Sequence, residues 1–240
     1  ISFAFYIKKD LDSSLCVKAL NKIVEKNEGI RLRIKDGEEG PIQYVEDFSF
    51  ENFTVKEYKS KTIDDIKKEI RTDSQIPFIF KNNKLYKFVV YKCNGETIIY
   101  VKVHHIIGDA WVVKIFFRQF NEYYTALSNE SVNPSKGQKA KSIDSILSDN
   151  HPSYLKFVEK EKDYFSSPKF ESDKKFWENY INDLPEAIPF KEIYSKKTCK
   201  SKRFKKEIPL STEIKDFCSR NKVSPFDFFI TAYSIYLYKA

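Results

Sequence analysis

The sequence predicts an α/β fold in two layers, a mixed β-sheet covered by helices. Three observations carry that reading. Segments with a two-residue apolar period interleave with segments whose apolar residues recur at helical spacing. Two β-rich runs, Leu85 to Cys93 and Thr97 to His104, flank Asn94-Gly95, the strongest short signal for a hairpin. The 240 residues include 41% apolar and 16% aromatic side chains, enough to fill a core and too many aromatics for a disordered chain.

Taken in order, Ile1 to Lys8 reads as a strand. Asp12 or Ser13 caps a helix to about Asn27, with Leu15, Leu20, Ile23 and Val24 near one face, and Gly29 stops it. Ile30 to Lys35 reads as a strand in which Ile30, Leu32 and Ile34 alternate with Arg31 and Arg33. Asp36 to Pro41 is a turn, and Ile42 to Val45 and Phe53 to Tyr58 are strand candidates. Thr62 caps a helix with Asp64 and Asp65 in its first turn, where carboxylates offset the helix dipole. After the hairpin, a helix starts near Asp109 and runs to about Leu127, with Val112, Ile115, Phe116, Phe120 and Tyr123 on its apolar face. Ser128 to Ser142 is polar and reads as a loop. Tyr154 to Phe165 and Phe170 to Ile181 read as helices, Leu184 to Pro189 as a crossover and Ser201 to Ile208 as a strand. Ser211 and Ser224 cap two final helices. The last, to Tyr238, is apolar nearly all round, a pattern that expects burial.

Composition excludes several classes of function. No apolar run approaches the roughly 20 residues that span a bilayer, and Ile1 to Asp10 is too polar for a signal peptide. The net charge of +8 is spread along the chain, densest from Lys196 to Lys206, where it reads as a solvated loop and strand edge. No nucleic-acid motif accompanies it, so neither nucleic acid nor membrane is an expected partner. Cys16, Cys93, Cys199 and Cys218 form no Cys-x-x-Cys pair. That argues against a zinc or redox site, and Cys16 and Cys218 read as core residues of a cytoplasmic protein. No Gly-rich loop follows a strand, which weakens a nucleotide-binding reading.

The histidines narrow the chemistry. There are three: His104, His105 and His151. The first two end a strand just before a helix. Neighbours on a strand point to opposite faces, so His105 continues the face of Ile99, Val101 and Val103, and His104 that of Ile98, Tyr100 and Lys102. Two rings so disposed do not share one metal, and no metal is expected. Asp109 lies four residues beyond His105, at the helix start. On spacing alone, His105 reads equally as a core histidine and Asp109 as a plain helix cap.

His104-His105, three residues, then Asp109-Ala110 resembles the His-His-x-x-x-Asp-Gly motif of the chloramphenicol-acetyltransferase-like superfamily. Lys26-Asn27-Glu28-Gly29-Ile30-Arg31-Leu32-Arg33-Ile34 resembles the second core motif of nonribosomal peptide synthetase condensation domains. Trp111, the stretch from Tyr154-Leu155 to Phe176-Trp177, and Ser224-Pro225-Phe226 through Tyr238 are similar to that family in the same order. The resemblance implies a chloramphenicol-acetyltransferase-like lobe, with 1–183 as the N-terminal lobe of a condensation domain. Residues 184–240 are then the crossover and the incomplete start of the C-terminal lobe.

It further implies an acyl or aminoacyl transferase that joins a carrier-bound thioester to an amine, with activity dependent on the second lobe. His105 would face the channel, as base or as the group that positions the amine, and His104 would orient the loop. Asp109 would be structural, paired with Arg31, or alternatively with Arg33. The backbone of Gly108, Ala110 and Trp111 would border the channel. No bound cofactor is implied, because the phosphopantetheine arms belong to peptidyl or acyl carrier proteins, which with adjacent synthetase domains are the expected partners. Ala110 departs from the family glycine, and if that position needs positive φ an alanine is strained there. An epimerization domain, a stand-alone acyltransferase and a non-catalytic recruitment module of the same fold remain open. The first usually shows Ser-Trp-Arg after the motif, where this chain has Trp111-Val112-Val113. A heterocyclization domain would carry aspartates in place of the histidines.

Overall fold

In chain order the elements are β1 (Ser2–Ile7), α1 (Ser13–Lys26), a 3₁₀ turn (Glu28–Arg31), β2 (Leu32–Gly37), β3 (Gly40–Val45), β4 (Thr54–Tyr58), α2 (Ile63–Gln75), β5 (Tyr86–Cys93), β6 (Glu96–Val103), a second 3₁₀ turn (His105–Ile107), α3 (Ala110–Val132), α4 (Tyr154–Phe165), α5 (Pro168–Asn182), α6 (Thr212–Asn221) and α7 (Pro225–Lys239). The computed structural model describes residues 1–132, 153–184, 206–207 and 209–239, and the chain divides into units of 1–182 and 183–240.

The first unit is built on a four-stranded sheet in the order β1-β6-β5-β4. Asn94 and Gly95 both have positive φ, 51° and 77°, as a two-residue hairpin turn that follows the strand twist requires. They set β5 antiparallel to β6 with Cys93 opposite Glu96. β1 adds antiparallel to β6, and β4 adds parallel to β5, so the sheet is mixed as the sequence predicts.

Helices cover both faces of the sheet. On one, Phe88, Val90, Ile99, Val101 and Val103 pack with Leu20, Ile23 and Val24 of α1 and Phe116, Phe120 and Tyr123 of α3. On the other, Val89, Tyr91, Ile98 and Tyr100 pack against Ile66 of α2. Each such side chain removed from water contributes about 1.5–3 kcal/mol, so this alternation fixes the register of β5 and β6. Asp12 caps α1 by accepting the Leu15 N–H at 2.9 Å. Thr62 and Asp65 form a reciprocal capping box on α2, at 3.2 and 3.0 Å. In the second unit, Ser211 caps α6, and Ser224 exchanges hydrogen bonds with Asp227 at the start of α7.

Several expectations are corrected. α1 ends at Lys26, before Gly29, which lies inside the first 3₁₀ turn. The Asn27 amide donates to the Ile23 carbonyl at 2.7 Å and so closes the helix itself. β2 begins at Leu32 and its alternation fails at Arg33, which is buried and ion-paired with Glu46 at 2.7 Å. The turn before β3 is only Glu38-Glu39. α3 runs to Val132, five residues past Leu127, because nothing from Ser128 to Val132 breaks a helix. The rest of the expected 128–142 loop lies outside the described residues. So do His151, Cys199, nearly all of the 184–189 crossover, and the 201–208 strand apart from Lys206 and Glu207. Among the described residues nothing covers Phe226 and Tyr238 of α7, which are 72% and 89% exposed. Cys16 and Cys218 are buried, as core residues should be.

Candidate functional site

The site is a turn built where β6 runs out of partners. The His104 N–H donates to the Leu85 carbonyl at 2.7 Å, the last hydrogen bond between the two segments. The strand then gives way to the 3₁₀ turn His105–Ile107, whose first N–H groups have no strand to pair with. The His104 ring meets that need: its Nδ1 accepts the Ile106 N–H at 3.1 Å. The ring is held between Phe80 and Phe78, with centroids 5.2 and 6.2 Å away.

Phe78 is approached in turn by Lys102. Its side chain is nearly buried, and its Nζ donates to the Asp73 and Ile76 carbonyls, both at 2.6 Å, with the Phe78 ring 5.1 Å away. An ammonium at the end of α2 satisfies the orphan carbonyls there and opposes the negative end of the helix dipole. Asp73 completes the cluster, taking a hydrogen bond from Tyr100 at 3.0 Å and an ion pair from Lys87. Burial raises its pKa, but the Lys87 and Tyr100 hydrogen bonds prevail and hold it below the ordinary carboxylate value.

His105 is exposed. The alternation that would continue it onto the face of Val101 and Val103 stops at Val103, because the backbone leaves the strand one residue later. It is therefore not a core histidine, and its ring is free to meet a ligand. Gly108 follows with extended backbone, and a Cβ there would lie 2.2 Å from Cγ2 of Val112. Glycine there leaves room for the Val112 side chain in the first turn of α3.

Asp109 is exposed and accepts the Trp111 N–H at 2.9 Å on Oδ1, while its carbonyl accepts the Val112 N–H at 3.2 Å. The expected pair with Arg31 does not form. Arg31 donates from Nη1 to the carbonyls of Val24, at 2.8 Å, and Glu25, and from Nε to that of Glu46 at 2.9 Å. It follows α1 by one 3₁₀ turn, so the bare carbonyls at the end of that helix are the nearest acceptors. Arg33, the alternative partner, is committed to Glu46. Ala110 opens α3 and is not among the described non-glycine residues with positive φ, which are Asn82, Asn94 and Lys222, so it carries no strain of that kind. Trp111 is 64% exposed, with Lys114 Nζ 5.4 Å from its ring centroid. Among the described residues no cluster of three or more His, Cys, Asp or Glu side chains could hold a metal, and no helix is long and apolar enough to cross a membrane.

Sequence reasoning brought His104, His105, Gly108, Asp109, Ala110 and Trp111 to one turn, and they are there. It missed Phe78, Phe80 and Lys102. The one available signal for them was a lysine on the same face of β6 as Ile98 and Tyr100.

Comparisons with known proteins bear on the chain as a whole. A family model described as "Condensation domain" matches residues 1–240. Surfactin synthase subunit 1 of Bacillus subtilis (strain 168) is 27% identical over 236 residues, 95% of this chain and 6% of that protein. Bacitracin synthase 3 of Bacillus licheniformis is 23% identical over 195 residues, 80% of this chain and 3% of that protein. This chain thus spans a small fraction of the curated relatives' length. Among solved structures, the starter condensation domain of rhizomide synthetase RzmA superposes with a TM-score of 0.62 at 18% identity, covering 77% of this chain and 43% of that one. VibH, described as a nonribosomal peptide synthetase condensation enzyme, superposes with a TM-score of 0.56 at 21% identity, covering 77% of this chain and 40% of that one. At these identities the superpositions speak for the fold.

Proposed function

This chain belongs to the condensation-domain family, and from that premise we propose that it is part of a transferase that forms amide bonds in nonribosomal peptide synthesis. The donor is an acyl or aminoacyl thioester on one carrier protein, and the acceptor is an amine on another. In this reading 1–183 form the first lobe and 184–240 lead into the second. Carrier proteins and neighbouring synthetase domains are its partners, and the phosphopantetheine arms arrive with the carriers.

The observation that carries the reading is the pairing of a clamped His104 with an exposed His105 on one turn. The amine nitrogen attacks the thioester carbonyl carbon, the C–N bond forms, and the C–S bond breaks to release the carrier thiol. One amine proton must leave. The exposed His105 ring can hold the amine N–H in line, take its proton as a general base and return it to the departing thiolate. His104 has Nδ1 occupied as an acceptor and acts by holding the turn. The Trp111 N–H is already taken by Asp109, so the start of α3 orders the loop rather than donating to the substrate through that group.

His105→Ala in the complete domain, supplied with donor-loaded and acceptor-loaded carrier proteins, is expected to lower amide product at least about 100-fold, the usual contribution of a positioned acid–base group. Product is read by intact mass of the acceptor carrier. Undiminished product would remove the reading.

A further inference from the structure

The His104 ring rests on a strap of chain, Pro77 to Phe80, that belongs to no helix and no strand. Pro77 starts the strap. A proline disfavours helical backbone in the residue before it, and Ile76 is extended at φ −73° and ψ 120°, which ends α2. The far end is tied to β2: Lys81 bridges to Ile34, and the Asn82 N–H donates to the Ile34 carbonyl at 2.7 Å. The near end is tied to Lys102, whose Nζ donates to the Ile76 carbonyl directly before Pro77 and to the Asp73 carbonyl three residues earlier.

Lys102 and His104 are two residues apart, about 7 Å in extended chain, and the strap touches both. The Phe78 ring lies 5.1 Å from Lys102 Nζ and 6.2 Å from the His104 ring, with Phe80 5.2 Å from the same imidazole. β6, which carries Lys102, is hydrogen-bonded on both sides, by β1 and β5, so the lysine is anchored by a ladder that the strap lacks. Its side chain is only 9% exposed, with the Asp73 carboxylate 3.8 Å away, and burying an ammonium carries a desolvation cost. Ending a helix does not require that cost in this fold. α1 closes on the Asn27 amide and α6 on the left-handed Lys222.

We propose that Lys102 is a positioning residue for amide formation. By holding the corner at Ile76 and Pro77 it sets Phe78 and Phe80 against the His104 ring, and through that ring it fixes the turn that presents His105. The proposal rests on the functional reading above for what the turn does, but the state of the His104 ring is measured without substrate.

The test compares the full chain, isotope-labelled at the histidine nitrogens, as wild type, Lys102→Met and Lys102→Arg. Wild type should show one His104 tautomer, protonated on Nε2, in long-range proton–nitrogen spectra, because Nδ1 accepts the Ile106 N–H. Lys102→Met keeps an unbranched side chain and loses the donors. It should move the His104 nitrogens toward the tautomer average and speed exchange of the Ile106 amide about tenfold, the weight of one hydrogen bond. Ile99, in the middle of β6, should keep its protection. Lys102→Arg, which can donate to the same carbonyls, should restore both signals. A His104 spectrum and an Ile106 exchange rate unchanged by Lys102→Met would overturn the proposal. Where Lys102→Met also exposes Ile99 to exchange, Phe78→Leu decides in its place. It leaves Lys102 intact, removes the ring between lysine and histidine, and should move the His104 nitrogens in the same way; an unchanged spectrum overturns the proposal.

In the complete domain with loaded carrier proteins, Lys102→Met should lower kcat at least about tenfold while KM for the acceptor carrier stays within about twofold, and Lys102→Arg should recover most of the rate. Wild-type kcat in Lys102→Met beside an inactive His105→Ala would sink the positioning role and spare the functional reading. Undiminished product from His105→Ala, with a His104 spectrum that still follows Lys102, would sink that reading and leave the hold on the turn standing.

Discussion

His104 Nδ1 accepts the backbone N–H of Ile106 at 3.1 Å, so the first side chain past β6 closes the turn that follows it. The bond places the ring proton on Nε2. It also keeps His105, between the two partners, in one backbone conformation. His104→Ala is expected to lose about 1 kcal/mol and to speed hydrogen exchange at Ile106. His104→Asn should keep most of the protection, because an asparagine oxygen also reaches the N–H two residues on. Equal exchange in wild type and His104→Ala would show that the ring does not hold the turn.

Gly108 and Val112 make a second demand on the loop. A methyl at Gly108 would meet Cγ2 of Val112 at 2.2 Å and its Cβ at 3.4 Å, and a β-branched side chain on a helix has little room to rotate away. Gly108→Ala should cost about 1–3 kcal/mol, the usual penalty of overpacking. Adding Val112→Ala should recover more than half of it. Additive losses in thermal melts of the two variants and their combination would show that the clash is not what glycine relieves.

Acid should loosen α2 through Glu69. Burial raises its pKa, but hydrogen bonds from Lys56, Lys61 and Tyr58, at 2.5, 3.2 and 3.0 Å, bring it down to about 2. An unfolded glutamate titrates near pH 4.3. The folded pKa is thus the lower one, and the stabilisation is complete above about pH 4.3 and lost as pH falls toward 2. The two lysines are about 40% exposed, so solvent screening reduces the contribution to about 2 kcal/mol. In denaturant titrations, Glu69→Gln should be destabilised by that amount at pH 7 and by almost nothing near pH 2. An unchanged difference across that range would contradict the assignment.

The sheet was legible because β5 and β6 are both buried on two faces around an Asn-Gly turn, and no other pattern satisfies that alternation. The site was legible as a cluster of neighbours, since His104 to Trp111 are eight consecutive residues. Tertiary pairing was not. The family resemblance pairs Arg31 with Asp109, but Arg31 bonds the open carbonyls at the end of α1 instead, and sequence spacing carries no sign of that competition. Alternation sets Arg33 apart from Leu32 and Ile34, yet all three are buried, and a cation–π approach to Tyr86 at 5.5 Å and the Glu46 carboxylate make the burial of Arg33 tolerable. Phe78 and Phe80 sit in a segment without period, so only the fold reveals that they grip His104.

The separation of Asp109 from Arg31 has a quantitative consequence. A buried pair broken from one side costs about 3–5 kcal/mol. An exposed carboxylate at a helix start costs about 1 kcal/mol when replaced by alanine. With Asp109 exposed and bonded to the Trp111 N–H, Asp109→Ala should fall in the second class, and Asp109→Asn, which keeps an acceptor, should cost less still. Arg31→Ala should cost more, because it strips the donors from three carbonyls at once. In a double-mutant cycle measured by denaturant unfolding, the coupling between the two positions should stay within about 0.5 kcal/mol, the usual margin for residues that share no partner. A coupling of about 2 kcal/mol or more would mean that the two side chains meet in solution and that the cap at Trp111 is not the role of Asp109.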